Sequence, residues 1–255
     1  PEKGAHLADE LVAMIALHDA SNIAAVIVEP MAGSAGVIPP PVGYLKRLRE
    51  ICDQNQILLI FDEVITAFGR VGSATGAEEY GVVPDMINIA KQITNGSVPM
   101  GAVIAKQEIH DTVMDGGGAD YMIEFPHGYT YSGHPACMAA AIANLELMES
   151  TNIIHQVKNN TAPYLGSKWK DLENHSLVGE ARQLGMLAAI EIVEDKENCK
   201  RFDNSGEIVG KCRDFCYENG LVMRAIKNKM VISPPLICTN EHIDEIVEKV
   251  WKCLD

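Results

Sequence analysis

Residues 57–62 read ILLIFD. Five apolar residues without polar alternation describe a short strand covered on both faces, and the chain then meets an acid. Upstream, AAVIV (24–28) runs directly into Glu29, and downstream MINIA (86–90) runs into Lys91. A glycine- and proline-rich loop fills 29–41. Pro41 is placed for the first turn of a helix in which Leu45, Leu48 and Cys52 recur at helical spacing. AVIA (102–105) reads as a fourth strand. Strand, helix and strand in succession predict an α/β fold with a mainly parallel sheet. Ligands of such sheets bind beyond the carboxyl ends of the strands. That rule singles out Glu29, Asp62 and Lys91, three ionisable side chains at three strand ends that could converge on one crevice.

Further out, LADELVAMIALHD (7–19) reads as an amphipathic helix with Leu11, Met14, Ile15 and His18 on one stripe. Residues 135–150 form an alanine-rich helix, with more helix expected to about Glu173. Beyond it the character changes. MLAAIEIV (186–193) alternates weakly as a strand, and 206–219 reads as a helix ended by Gly220. Two short strands (221–224 and 230–232) and a terminal helix (240–254) complete an α+β segment. The expected boundary lies near Ser150, between a larger unit (1–150) and a smaller one (151–255).

A length of 255 residues allows one large or two small domains. Charge sums to 21 − 35 = −14, which disfavours a nucleic-acid partner, since such a partner needs a basic face. With 47% hydrophobic and 22% charged residues the chain is globular, and no apolar run is long enough to suggest a membrane span. Seven scattered cysteines without a CxxC pair point to reduced thiols of the cytoplasm. The eight histidines show no paired-ligand spacing, so no metal site is expected. Gly33-Ser34-Ala35-Gly36 is not a dinucleotide-binding pattern. No secretory signal is visible. The chain opens at Pro1, in what reads as the middle of a helical passage, and is expected to be a piece of a longer or processed chain.

Three residues admit two readings each. Asp62 is a strand-end acid in a surface ion pair, or a carboxylate emerging from a buried strand that needs a partner such as a protonated heterocyclic nitrogen. Lys91 is a lysine reaching for solvent at a strand end, or a buried amine held near neutrality and able to form a Schiff base. The turn formers around it, Asn95-Gly96 and Pro99-Met100-Gly101, suit a tight loop. Arg224, placed at the end of the strand LVMR, is a surface cation or a bidentate clamp on a carboxylate.

The run IFDEVITAFGRVGSATGAEEYGVVPDMINIAKQITNG (60–96) resembles the signature of class III aminotransferases, pyridoxal-phosphate enzymes of fold type I. VIVEPMAGSAGV (26–37), PMGAVIA (99–105) and HGYTYSGHPACMAAAIANLE (127–146) match in the same order. Within that family the text is most similar to the ω-amino acid:pyruvate (β-alanine:pyruvate) branch. The resemblance implies that residues 1–150 are the later part of a large cofactor-binding domain and 151–255 the small domain. It implies pyridoxal 5′-phosphate held by Lys91 as a Schiff base. Lys91 would then move the proton between substrate and cofactor. Asp62 would pair with the pyridinium nitrogen, keeping the ring able to accept electrons. Val64 would pack on the ring face, Thr130 would bond the phosphate from the neighbouring subunit, and Arg224 would bind substrate carboxylates.

The implied activity is ping-pong transfer of an amino group from an ω-amino acid or amine to pyruvate or another 2-oxo acid. A homodimer or higher assembly with shared sites is implied with it. Alternatives in the same fold are aminomutase or decarboxylase chemistry. A third reading is a silent module that only dimerises, because the family's glycine-serine phosphate loop and its ring-stacking aromatic are absent from this text. Residues 1–255 alone are expected to be weakly active or inactive. Gln183 stands where glycine is usual and is expected to be harmless. Lys227-Asn228 replaces a glycine-containing turn, with Asn228 expected to supply the positive φ.

Overall fold

The computed structural model describes residues 3–116, 125 and 127–255. In chain order, α1 (Glu10–His18), β1 (Ala25–Val28), α2 (Tyr44–Asn55) and β2 (Leu58–Asp62) come first. They are followed by α3 (Gly76–Tyr80), β3 (Met86–Ile89), β4 (Ala102–Ala105), α4 (Gln107–Asp115) and α5 (Pro135–Ser150). The chain divides into two compact units, the first made of residues 1–30, 41–65 and 80–151.

The first unit holds a four-stranded sheet in the order β1-β2-β3-β4. Val26 pairs with Leu59 and Asp62 with Asn88 in parallel register, whereas β4 runs antiparallel to β3, with Ile87 opposite Ile104. The expected α/β class with a mainly parallel sheet is therefore present. Leu45, Leu48, Ile51 and Cys52 of α2 are buried, a stripe at helical spacing. Beneath β2 sits Asp85, 8% exposed. Its carboxylate accepts from the Leu59 N–H, Arg49 and Lys106, each at 2.7 Å. Burial pushes this carboxyl up, but the Leu59 N–H, Lys106 and Arg49 outweigh it and hold it below the ordinary range.

Several local expectations are corrected. Pro41 lies before α2 rather than in its first turn: the Tyr44 N–H donates back to the Pro41 carbonyl and Gly43 is the cap. The strands are not covered on both faces within this chain, since Ile27 of β1 is 59% exposed and Val103 and Ile104 of β4 are exposed too. On α1 only Ile15 of the predicted stripe is buried, while Met14 and Leu17 stand in solvent.

The second unit comprises residues 31–40, 66–79 and 152–255. It adds α6 (Ile153–Gln156), a π turn (Val157–Thr161), α7 (Ala162–Asp171), β5 (Val178–Leu184) and β6 (Leu187–Ile192). Then come α8 (Ser205–Glu218), β7 (Arg224–Ile226), β8 (Lys229–Ile232) and α9 (Asn240–Leu254). The sheet order is β5-β6-β8-β7, all antiparallel. Its core centres on Trp169, fully buried, whose indole N–H donates to the Ala189 carbonyl at 3.0 Å. Leu165, Leu172, Met186, Ile190, Ile192 and Met230 are fully buried as well.

β5 was not legible as a strand, because Glu180, Arg182 and Gln183 break up the apolar pattern of VGEARQL. The β5–β6 turn depends on Gly185, at φ +57°, where an added Cβ would lie 2.3 Å from the Arg70 carbonyl oxygen. The segment 221–224 is not a strand. Arg224 instead begins β7, opposite Val231, because the tight turn to β8 lies at Lys227-Asn228. At that turn Lys227, not Asn228, takes the positive φ, at 53°, and Asn228 is buried. Gln183 is accommodated by a small neighbour. Its amide donates to the Ala162 and Gly185 carbonyls, and a Cβ on Gly166 would meet it at 2.7 Å.

Candidate functional site

At the carboxyl end of the parallel strands, Asp62 is the last residue of β2 and pairs with Asn88 of the adjacent β3. Three residues beyond Asn88, Lys91 opens a 3-10 turn (Lys91–Thr94). Strand order and register thus place the acid and the amine at the same end of neighbouring strands. Glu29 follows β1 in the same way. The Val64 N–H donates to Asp62 Oδ1 at 3.2 Å, tying the carboxylate to the turn after its strand. Glu63 between them is fully buried, and its N–H donates to the Asn88 carbonyl at 2.9 Å.

The Lys91 segment is held tightly. Ala90 is extended, and Lys91 then enters the left-handed region at φ 47°, which costs a non-glycine residue roughly 1 kcal/mol. The Gly96 N–H donates to the Lys91 carbonyl, and Thr94 Oγ1 to the Val98 carbonyl at 2.7 Å. From α5, the Asn144 amide donates to the carbonyls of Gln92 at 2.9 Å and Ile93 at 3.2 Å. Asn144 was missed in the sequence, although it is the first polar side chain after the apolar run 135–143 of α5. Lys91 is exposed in this chain, which matches the reading of a lysine reaching for solvent rather than that of a buried amine.

Thr130 lies in the same unit, in a turn where the Tyr129 N–H donates to Ser132 Oγ at 2.9 Å and the Ser132 N–H to the Tyr129 carbonyl. Thr130, Tyr129 and Tyr131 are all exposed. His127 is bracketed by Phe125 and Tyr129, with ring centroids 5.5 and 5.7 Å away. His134 caps α5 by accepting from the Ala136 N–H, and Pro135 fills the first helical position. Arg224 belongs to the second unit and is exposed.

That unit also contains two arginines absent from the sequence-based expectations. Arg70 donates to the carbonyls of Met186 and Pro234, and burial pushes its guanidinium down to about 10, so it remains a cation at neutral pH. Arg182 donates to the Gly36 and Val37 carbonyls and to Glu191 at 3.1 Å. Burial raises the Glu191 carboxyl, but Arg182 and Lys229 outweigh it and hold it below the ordinary range.

The sequence model of the family "Aminotransferase class-III" matches residues 2–254. A putrescine–pyruvate aminotransferase of Pseudomonas aeruginosa is 45% identical over 255 residues, 100% of this chain and 54% of that protein. A β-alanine–pyruvate aminotransferase of the same organism is 46% identical over 253 residues, 99% of this chain and 55% of that protein. An amine transaminase from an uncultivated Pseudomonas species, solved in a PLP-bound form, superposes with a TM-score of 0.90 at 39% identity. That match covers 98% of this chain and 56% of that one. The chain belongs to the class-III aminotransferase family. It spans about half the length of the curated relatives it matches.

Proposed function

We propose that this chain is the later part of a pyridoxal 5′-phosphate-dependent aminotransferase that moves an amino group from an ω-amino acid or amine to pyruvate or another 2-oxo acid. The carrying observation is the carboxylate of Asp62 and the amine of Lys91 at the same end of adjacent parallel strands, in a chain of this family. The donor chemistry fits the cofactor: a primary amine for its aldehyde, a carboxylate for its ring nitrogen, and the Thr130 hydroxyl for its phosphate. When bound, the cofactor supplies an electron sink for the carbon that carries the amino group.

Asp62, braced by the Val64 N–H, would hold the ring nitrogen protonated, and Val64 would pack on the ring face. Lys91 Nζ would hold the cofactor and would serve as the acid/base at the substrate carbon. The Asn144 bonds to the Lys91 turn orient that amine. Arg224 takes the substrate carboxylate. Pyruvate is common to relatives named for putrescine and for β-alanine at nearly equal identity, which supports a pyruvate-type acceptor while leaving the donor open.

Residues 1–150 are assigned to the large cofactor-binding domain and 151–255 to the small one, in a homodimer or higher assembly in the cytoplasm. Thr130 is assigned to the neighbouring subunit's phosphate. The exposure of Lys91 and Thr130 supports weak or absent activity for residues 1–255 alone. Among the described residues no helix is long and apolar enough to cross a membrane.

The protein carrying this chain, loaded with pyridoxal 5′-phosphate and treated with borohydride, carries the reduced adduct on Lys91 in a peptide mass map. Labelling of a different lysine with Lys91 untouched overturns the assignment. Alanine formed from pyruvate in step with donor loss separates transamination from aminomutase or decarboxylase chemistry.

A further inference from the structure

The second unit gathers three of the chain's seven cysteines at one helix contact. Cys212 and Cys216 stand one turn apart on α8, and Cys253 lies in the last turn of α9, which packs against α8. The Cys253 thiol donates to the Cys212 carbonyl at 3.4 Å. Cys216 is buried, with its sulfur 3.9 Å from the Met223 sulfur. Cys212 and Cys253 are half-buried, so a small oxidant reaches them.

We propose that Cys212 and Cys253 form a redox-active thiol pair, which a peroxide closes into a disulfide joining α8 to the C-terminal helix. The Cys212 thiolate attacks one oxygen of hydrogen peroxide, the O–O bond breaks, and hydroxide leaves. The proton shed by Cys212 converts that hydroxide to water, and Cys212 becomes a sulfenic acid. The Cys253 sulfur then attacks the Cys212 sulfur. The S–S bond forms, the S–O bond breaks, and the departing hydroxide takes the Cys253 proton as a second water. Two thiols lose two electrons in all, and one peroxide accepts them. Cys212 is half-buried, so peroxide reaches it, whereas Cys216 is shut away from solvent; the facing Cys253 thiol also lowers the Cys212 thiol below the ordinary value.

The test oxidises the protein carrying this chain with hydrogen peroxide, caps remaining thiols, digests without reductant and maps the peptides. A linked pair containing Cys212 and Cys253, two hydrogens lighter than the separate peptides and reversed by dithiothreitol, is expected. Its yield falls about tenfold or more in Cys212→Ser and in Cys212→Ala, and stays at the wild-type level in Cys216→Ser. The exposed Cys199 serves as an oxidation control. A Cys216–Cys253 link, or a Cys253 that remains fully capped while Cys199 is oxidised, overturns the proposal. The wild-type map decides on its own if a variant fails to fold.

Discussion

Asp85 shows how much one residue carries. Its carboxylate closes the β2 start, Arg49 and Lys106 into one network. Asp85→Ala leaves the Leu59 N–H and a largely buried Arg49 without that acceptor. A loss of about 3 kcal/mol is expected, read as a lowered urea midpoint by circular dichroism. Asp85 and Glu191 are both held below their ordinary carboxylate values. Their stabilising contribution is therefore complete above the unfolded values of 3.8 and 4.5 and is lost as pH falls through the lower folded values. Acid titration should show the protein losing structure below about pH 4, whereas Asp85→Asn loses much of that dependence. At the proposed site, Lys91→Ala should cut turnover by about a thousandfold and abolish borohydride labelling. Arg224→Ala should raise KM roughly tenfold to a hundredfold for carboxylated substrates and far less for simple amines. Equal losses on both substrate types would remove Arg224 from carboxylate binding.

Among the elements, the β5–β6 turn is the most constrained. Gly185 has both a positive φ and backbone of Arg70 and Val71 where a side chain would stand. Gly185→Ala should destabilise the second unit by roughly 2 kcal/mol or more, since neither cause is relieved by a rotamer change. Legibility followed the same physics. β2 and β4 were readable because unbroken apolar runs have few other uses in a chain of this composition, and β3 because only Asn88 interrupts its run. α5 was readable from its alanine-rich composition, and α5 and α9 were both placed at the boundaries observed. β5 was hidden because its polar side chains earn their places through tertiary partners, Arg182 on Glu191 and Gln183 on Ala162. The β7–β8 turn was located at Lys227-Asn228, but a lysine took the positive φ expected of the asparagine. At the proposed site, Asp62 and Lys91 were singled out by their position at the ends of apolar strand runs. Asn144 escaped because its partners are backbone carbonyls on a segment far away in sequence.

For the molecule as a whole, the first unit leaves apolar side chains in solvent: Ile27, Val103 and Ile104 on the sheet, and Ile142, Leu145 and Leu147 on α5. Leu147 alone is 60% exposed. Surfaces of this kind mark contacts with further protein, and the dimer proposed above would cover part of them. Light scattering on the protein carrying this chain should give at least twice its single-chain mass, and a monomer at micromolar concentration would remove Thr130 from the partner's site.

Trp169 and Trp251 are the chain's 2 tryptophans, and both fall in the second unit. Within residues 1–255, intrinsic indole emission is therefore a regional probe. It will follow the melting of the antiparallel half and stay blind to the half that bears Asp62 and Lys91. A red shift that lags or precedes the loss of helical ellipticity would reveal two separately melting halves.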